Sequence, residues 1–292
     1  MTVLEILLPA FVASLILTGI HAYLGVHVVE RGVIFVDLSL AQIAALGGTV
    51  GYLAGYDIHS HAAYVFSLSF TILGAAIFAY TKSHGRTRIP QEAIIGIVYA
   101  VSAACAVLVM SKATRETEHL KEMLVGNILA VSWPELARTA ALYALVGLFH
   151  FVFRERFLLI STNEPEATRR GWNVRFWDFL FYVSFGFVVT SSVAIAGVLL
   201  VFSFLIVPSV AAMLFSARLG PRLAIGWTMG AVVSAAGVAL SFFLDLPTGA
   251  AIVVTFGIAL LLLAGARWLL GVRADPREIS RPSPGSRPQT PS

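Results

Sequence analysis

The sequence predicts an all-α, polytopic transmembrane helix bundle of eight to nine spanning helices, with the N-terminus outside and the C-terminus cytoplasmic. Three observations predict it. Apolar stretches of about 20 residues, the length a bilayer core demands, follow one another almost without interruption. Apolar residues make up 58% of the chain and charged residues 12%, with a mean hydropathy of +0.85, which leaves too little polar surface to coat a soluble particle. Finally, the lysines and arginines fall on alternate connections.

Taken in order, the apolar runs place helices near 6–28, 34–53, 62–80, 93–110, 136–153, 176–193, 195–215, 223–244 and 250–270. No basic residue precedes the first run and no small-residue cleavage site is needed to explain it, so it is expected to stay as a span. The second run carries a carboxylate, Asp37. The third is uncharged, and the fourth holds the one cysteine, Cys105, between Ala104 and Ala106. A lone thiol excludes an intrachain disulfide and reads as packing. Ser132-Trp133-Pro134-Glu135 opens the fifth helix as a capping box with proline in the first turn. Only a polar spot around Ser191, Ser192 and Gly197 separates the sixth and seventh, so one broken helix is the alternative there. Pro208 in the seventh removes a backbone hydrogen bond and should kink it. Asp245-Leu246-Pro247 turns the chain and sets a carboxylate near the start of the last helix, where it favours the positive dipole end. Residues 1–271 thus form a transmembrane domain. Residues 272–292, rich in Pro, Ser and Arg, read as a disordered cytoplasmic tail.

Orientation follows from the cations. With the N-terminus outside, the inner connections and tail hold Arg31, Lys82, Arg86, Arg88, Arg154, Arg156, Arg169, Arg170, Arg175, Arg218, Arg222, Arg267, Arg273, Arg277, Arg281 and Arg287. The outer side holds Lys112, Arg115, Lys121 and Arg138. Sixteen against four satisfies the positive-inside rule. The net charge of +4 therefore records cytoplasmic loops, and no nucleic-acid partner is expected.

No nucleotide-binding loop, serine-hydrolase elbow, His-Glu-x-x-His or Cys-x-x-Cys pattern occurs, so motifs do not support catalysis. Polar residues inside apolar runs carry the information instead, because a charge near a helix centre costs about 2.5 to 3.5 kcal/mol on insertion scales. Asp37 is the clearest, followed along its helix by Ser39 and Gln42. It reads either as a cap or interhelical hydrogen-bond partner, or as a carboxylate lining a cation path.

Five groups of residues in order carry a family likeness. They are Gly25 with Arg31 and Asp37; Glu92, Ala93, Ile95, Gly96 and Ile97; Gly126-Asn127-Ile128-Leu129; Gly197-Val198-Leu199-Leu200 with Leu205, Ile206 and Pro208; and Leu244-Asp245-Leu246-Pro247-Thr248-Gly249-Ala250. In these the chain resembles the membrane permeases of zinc- and manganese-type ABC importers, over nearly its whole length up to about Leu270. The resemblance implies a transport permease of a bacterial cytoplasmic membrane, with no enzymatic activity and no bound cofactor of its own. It implies a homodimer of permeases with two ATP-binding subunits below and a periplasmic or surface-anchored metal-binding protein above, moving a divalent metal, zinc first and manganese or iron next. Asp37, Ser39 and Gln42 become pathway residues. The loop after the fifth helix, with Glu166, Ala167, Arg170 and Gly171, becomes the segment that docks into the ATPase; Glu166 and Arg170 stand at helical i,i+4 spacing, and Trp172 and Trp177 suit an interfacial belt.

Two departures matter. Ala41 stands four residues after Asp37, where the family usually carries a histidine, so the imidazole that favours zinc is missing. Ala194 stands where many relatives have a basic residue. His21 and His27 read as internal hydrogen-bond partners, and His59 and His61 as loop residues near Asp57. The same architecture with a chelated metal or small organic cofactor as cargo, an ion-coupled secondary transporter, and a membrane enzyme or structural bundle are the competing readings.

Overall fold

The computed structural model describes residues 3–57, 60–82, 89–111 and 128–269. His59, Gly126, Asn127, the tail and several counted cations, among them Arg86 and Arg88, lie outside them. The described residues are helical without a strand. They form α1 (Val3–Glu30), α2 (Val36–Leu53), α3 (His61–Thr81), α4 (Gln91–Met110), a 3₁₀ turn (Ile128–Ala130), α5 (Trp133–Val152), α6 (Arg154–Thr162), α7 (Glu164–Arg169), α8 (Val174–Met213), α9 (Leu219–Leu244) and α10 (Thr248–Leu269). Eight of these helices are long and apolar enough to cross a membrane.

The sequence forms these helices where its apolar runs lie, and local chemistry sets their ends. Ser60 caps α3 by accepting from the Ala63 amide at 3.1 Å. At α5, Glu135 accepts from both the Ser132 amide (2.9 Å) and the Ser132 hydroxyl (2.7 Å), with Pro134 in the first turn. Asp245 does not serve the last helix as expected. It closes α9 in the left-handed conformation, φ 51°, and Ser241 makes the turn, its hydroxyl lying 2.6 Å from that of Thr248. A short polar side chain tolerates that backbone conformation, and the Asp245 backbone amide donates to the carbonyl of Ser241.

The expected sixth and seventh helices are the two arms of α8, which is 40 residues long. A straight helix of that length would measure about 60 Å, twice a bilayer core. The chain avoids this at Gly197, whose φ of 75° and ψ of 164° lie in a region open essentially to glycine alone. Contacts show that the chain doubles back there. In the first arm, Asp178 meets Arg31, Phe181 meets His27 and Ser192 meets His21. In the second, the Ser209 hydroxyl donates to the carbonyl of Ala22, at 3.3 Å. His21 and Ala22 are neighbours, yet a straight helix from Ser192 to Ser209 would be about 25 Å long. Pro208 then packs on Gly226, one turn from Arg222, which pairs with Glu30 at the end of α1. The eight apolar helices among the described residues therefore include one, α8, made of two arms joined at Gly197. Pro208 sits inside the second arm, and the non-helical break falls at Gly197 instead.

The bundle is layered. α2 and α8 are the inner helices, with two thirds of their apolar windows buried, whereas α10 has 17% buried and faces outward. α2 can occupy the middle because one side after another is small: Ala41, Ala44, Ala45, Gly47, Gly48 and Gly51. α1 packs against both arms of α8 and against α9, the backbone of Leu205 riding on Gly25. An aromatic cluster of Phe149, Phe153, Phe157, Trp177 and Phe181 fills the end of the bundle that carries Arg31.

Candidate functional site

The turn from α1 into α2 runs through Gly32, which has a positive φ of 65°, and it delivers the start of α2 inside the bundle. Glu92 of α4 accepts from the Phe35 amide at 3.0 Å, so the first orphan donors of α2 are partly met by a carboxylate from another helix. One half-turn on, Asp37 is 2% exposed and its Oδ1 has no hydrogen-bond partner; Ser39 is 0% exposed and its hydroxyl also lacks one. Glu92 Oε2 and Gln91 Oε1 are likewise buried and unpartnered. Buried polar atoms are nearly always satisfied. Asp37 Oδ1 at the head of α2 and Glu92 Oε2 of α4, the helix that holds that head through the Phe35 amide, are thus both left without a hydrogen-bond partner.

The three expected pathway residues do not share one face. At about 100° per residue, Ser39 points roughly 200° and half-buried Gln42 roughly 140° from Asp37 around α2. The residue on the Asp37 face is Ala41, 1% exposed. Among the described residues no group of three His, Cys, Asp or Glu is placed to hold a metal. The head of α2 offers one buried carboxylate, Asp37, with a second, Glu92, holding the same helix end.

A second polar centre lies at the Arg31 end. Asp178 of α8 is 0% exposed, and both its oxygens are taken: Oδ1 by Arg31 and Oδ2 by Lys82 at 2.7 Å. Lys82 also reaches Glu164 at 2.8 Å. The Arg31 guanidinium lies 4.0 Å from the Phe181 ring centroid, and its Nε donates to Ser161 at 2.8 Å. Sequence reasoning passed over Asp178. The signal was available, because it is a carboxylate in an apolar run, the same criterion that singles out Asp37.

The segment after α5 is a pair of short helices. Asn163 breaks them apart and caps α7, its side chain accepting from the Glu166 amide at 3.2 Å. Glu166 and Arg170 pair at 3.1 Å, Arg170 also reaches Glu155, and Gly171 ends the turn with φ 75°. Ala167 is fully buried against its own chain, so its small size seats α7 on the bundle rather than presenting a notch outward. Trp177, expected in an interfacial belt, is 6% exposed and lies in the aromatic cluster with the Arg156 guanidinium 4.6 Å from its ring centroid. Trp172 stays partly exposed.

The buried histidines are engaged with the protein. His21 bonds the Leu17 carbonyl (2.8 Å) and Ser192 (3.2 Å), and His27 bonds Ser161 (2.8 Å). His150, which the sequence did not single out, sits between Tyr23 (3.2 Å) and Ser184 (2.8 Å).

Comparison with known proteins agrees with this architecture. The chain is 26% identical over 250 residues to the manganese transport system membrane protein MntC of Listeria innocua, covering 84% of each. It is 28% identical over 249 residues to a probable iron transport system membrane protein of Haemophilus influenzae, covering 85% of this chain and 89% of that one. The solved structure of PsaBC from Streptococcus pneumoniae in complex with Fab superposes with a TM-score of 0.72 at 24% identity, covering 89% of this chain and 91% of the other. An inward-facing conformation of a putative metal-chelate type ABC transporter gives 0.68 at 20% identity, with 89% and 85% covered. The ABC 3 transport family matches residues 3–266. With nearly the whole bundle inside that match, the chain belongs to the ABC 3 transport family and is one of its multi-pass bacterial membrane permeases.

Proposed function

We propose that the chain is the permease subunit of an ATP-driven importer of a divalent metal ion. Two copies surround the pathway, a separate ATPase docks on the α6–α7 segment, and an external metal-binding protein delivers the ion. The Arg31 end, with α6 and α7, faces the cytoplasm on the strength of its basic residues. The observation that carries the reading is Asp37, a carboxylate buried in α2 with an unpartnered oxygen. A lone carboxylate pairs with a passing cation and lets it go, as a transporter requires, whereas a closed four-ligand site would keep it.

The donors also bear on the metal. Oxygen ligands suit manganese, while imidazole and thiolate favour zinc. Asp37 has Ala41 on its own face, and His21 and His150 are bonded at both ring nitrogens to serines, a tyrosine and a backbone carbonyl, while His27 bonds Ser161 through one. Manganese or iron(II) therefore ranks ahead of zinc, an order that the names of the relatives support. The small Ala41 also favours a second cargo, a chelated metal carrying its own ligands.

Uptake settles the choice. Cells lacking their own importers would express the chain with its ATPase and binding protein and be offered manganese(II), iron(II) and zinc(II) separately. The expected result is manganese or iron entry that disappears in Asp37→Ala and Asp37→Asn while the complex still purifies intact. Full-rate uptake by either variant would remove Asp37 from the pathway.

A further inference from the structure

Four charges meet at the Arg31 end with little access to solvent. The side chains of Arg31 and Asp178 are 1% and 0% exposed, that of Lys82 14%, and that of Glu164 27%. Two cations and two carboxylates balance, and Lys82 is bonded to both carboxylates. Burying such groups is costly, and an apolar replacement of similar volume is often at least as stable. Charges kept buried at this end of the bundle therefore point to use rather than stability.

The elements joined by the quartet indicate the use. Arg31 ends α1, Lys82 follows α3, and Asp178 lies in the first arm of α8, whereas Glu164 is the first residue of α7. A second grip runs alongside, because Ser161 in α6 accepts from Arg31 Nε and bonds His27. From Arg31 the chain passes through a single turn into α2, whose first amide is held by Glu92. One route from the α6–α7 segment to the head of α2 thus runs through Arg31 and its partners.

We propose that this quartet transmits the movement of the ATPase from the α6–α7 segment to α2, with Lys82 as the bridging residue. The inference rests on the importer reading above. Among the described residues Lys82 is bonded both to Glu164 of α7 and to the buried Asp178, and Glu164, the most exposed of the four, is the partner that α7 carries away when it moves. Arg31 and Asp178 stay paired and turn the change at α7 into a displacement at the head of α2, biasing the bundle between two populations. These are positioning residues, and none of them meets the ion.

The test is Lys82→Met with Glu164→Gln, which removes one charge of each sign and leaves the Arg31–Asp178 pair balanced. The variant chain, its ATPase and its binding protein are reconstituted in liposomes, and ATP hydrolysis and uptake are measured with manganese(II), iron(II) and zinc(II) offered separately. For the cation that the wild type moves, uptake per ATP should fall by about tenfold or more while hydrolysis stays within about twofold, a change in the range of coupling energies between sites. Single Glu164→Gln, at the partly exposed member, should lower the same ratio and guards against a folding defect in the double variant. An unchanged ratio in an active complex overturns the quartet and leaves the importer reading standing. If the wild-type complex shows no ATP-driven uptake of any of the three, the importer reading falls and the quartet with it.

Discussion

At Asp37, function and stability pull apart. A buried polar atom left without a partner costs about 1–3 kcal/mol, and Oδ1 of Asp37 is such an atom. Asp37→Ala should therefore unfold in detergent at the same temperature as the wild type or higher, while transporting nothing. A clear drop in melting temperature would mark the carboxylate as a structural partner instead. Asp37 was legible because a charge in an apolar run stands out without knowledge of the fold. Asp178 carries the same signal, but its meaning comes from Arg31 and Lys82, 147 and 96 positions away. In the sequence those two cations mark only a side of the membrane. The directions of Ser39 and Gln42 around α2 follow from helical geometry alone, and they show that proximity in sequence does not gather three ligands on one ion.

Among the elements, α8 is the most constrained. Its two arms share one glycine in a conformation that a side chain would strain by about 1–3 kcal/mol. Gly197→Ala is thus expected to lower expression of folded protein and its melting temperature by more than Pro208→Ala does. Equal effects, measured side by side in detergent, would place the critical break at the proline. The apolar runs placed the remaining spans to within about four residues, since hydrophobic length is a property of the chain itself. The α6–α7 pair was less legible. Its Glu166–Arg170 link follows from i,i+4 spacing, but the inward burial of Trp177 depends on Phe153, just after α5, and Phe157 of α6. Asp245 shows the same limit, because a carboxylate between two helices can close the first or open the second.

For the whole molecule, the charge distribution predicts which end of the bundle faces the cytoplasm, the one that carries Arg31. In a Cys105→Ser background, a cysteine placed at Ser132 should react with an impermeant maleimide added to intact cells. One placed at Thr168 should react only after the membrane is opened. The reverse pattern would invert the orientation. An eight-crossing chain would instead leave the Arg31 and Arg222 ends on opposite sides, which the pairing of Glu30 with Arg222 forbids. The absence of a hydrophilic connection at Gly197 also has a consequence for biosynthesis. The insertion machinery meets α8 as one uninterrupted apolar object, so its arms must leave the translocation channel as a preformed hairpin. A chain truncated just after Gly197 would be released with its new C-terminus in lipid and no partner arm, a natural substrate for membrane proteolysis.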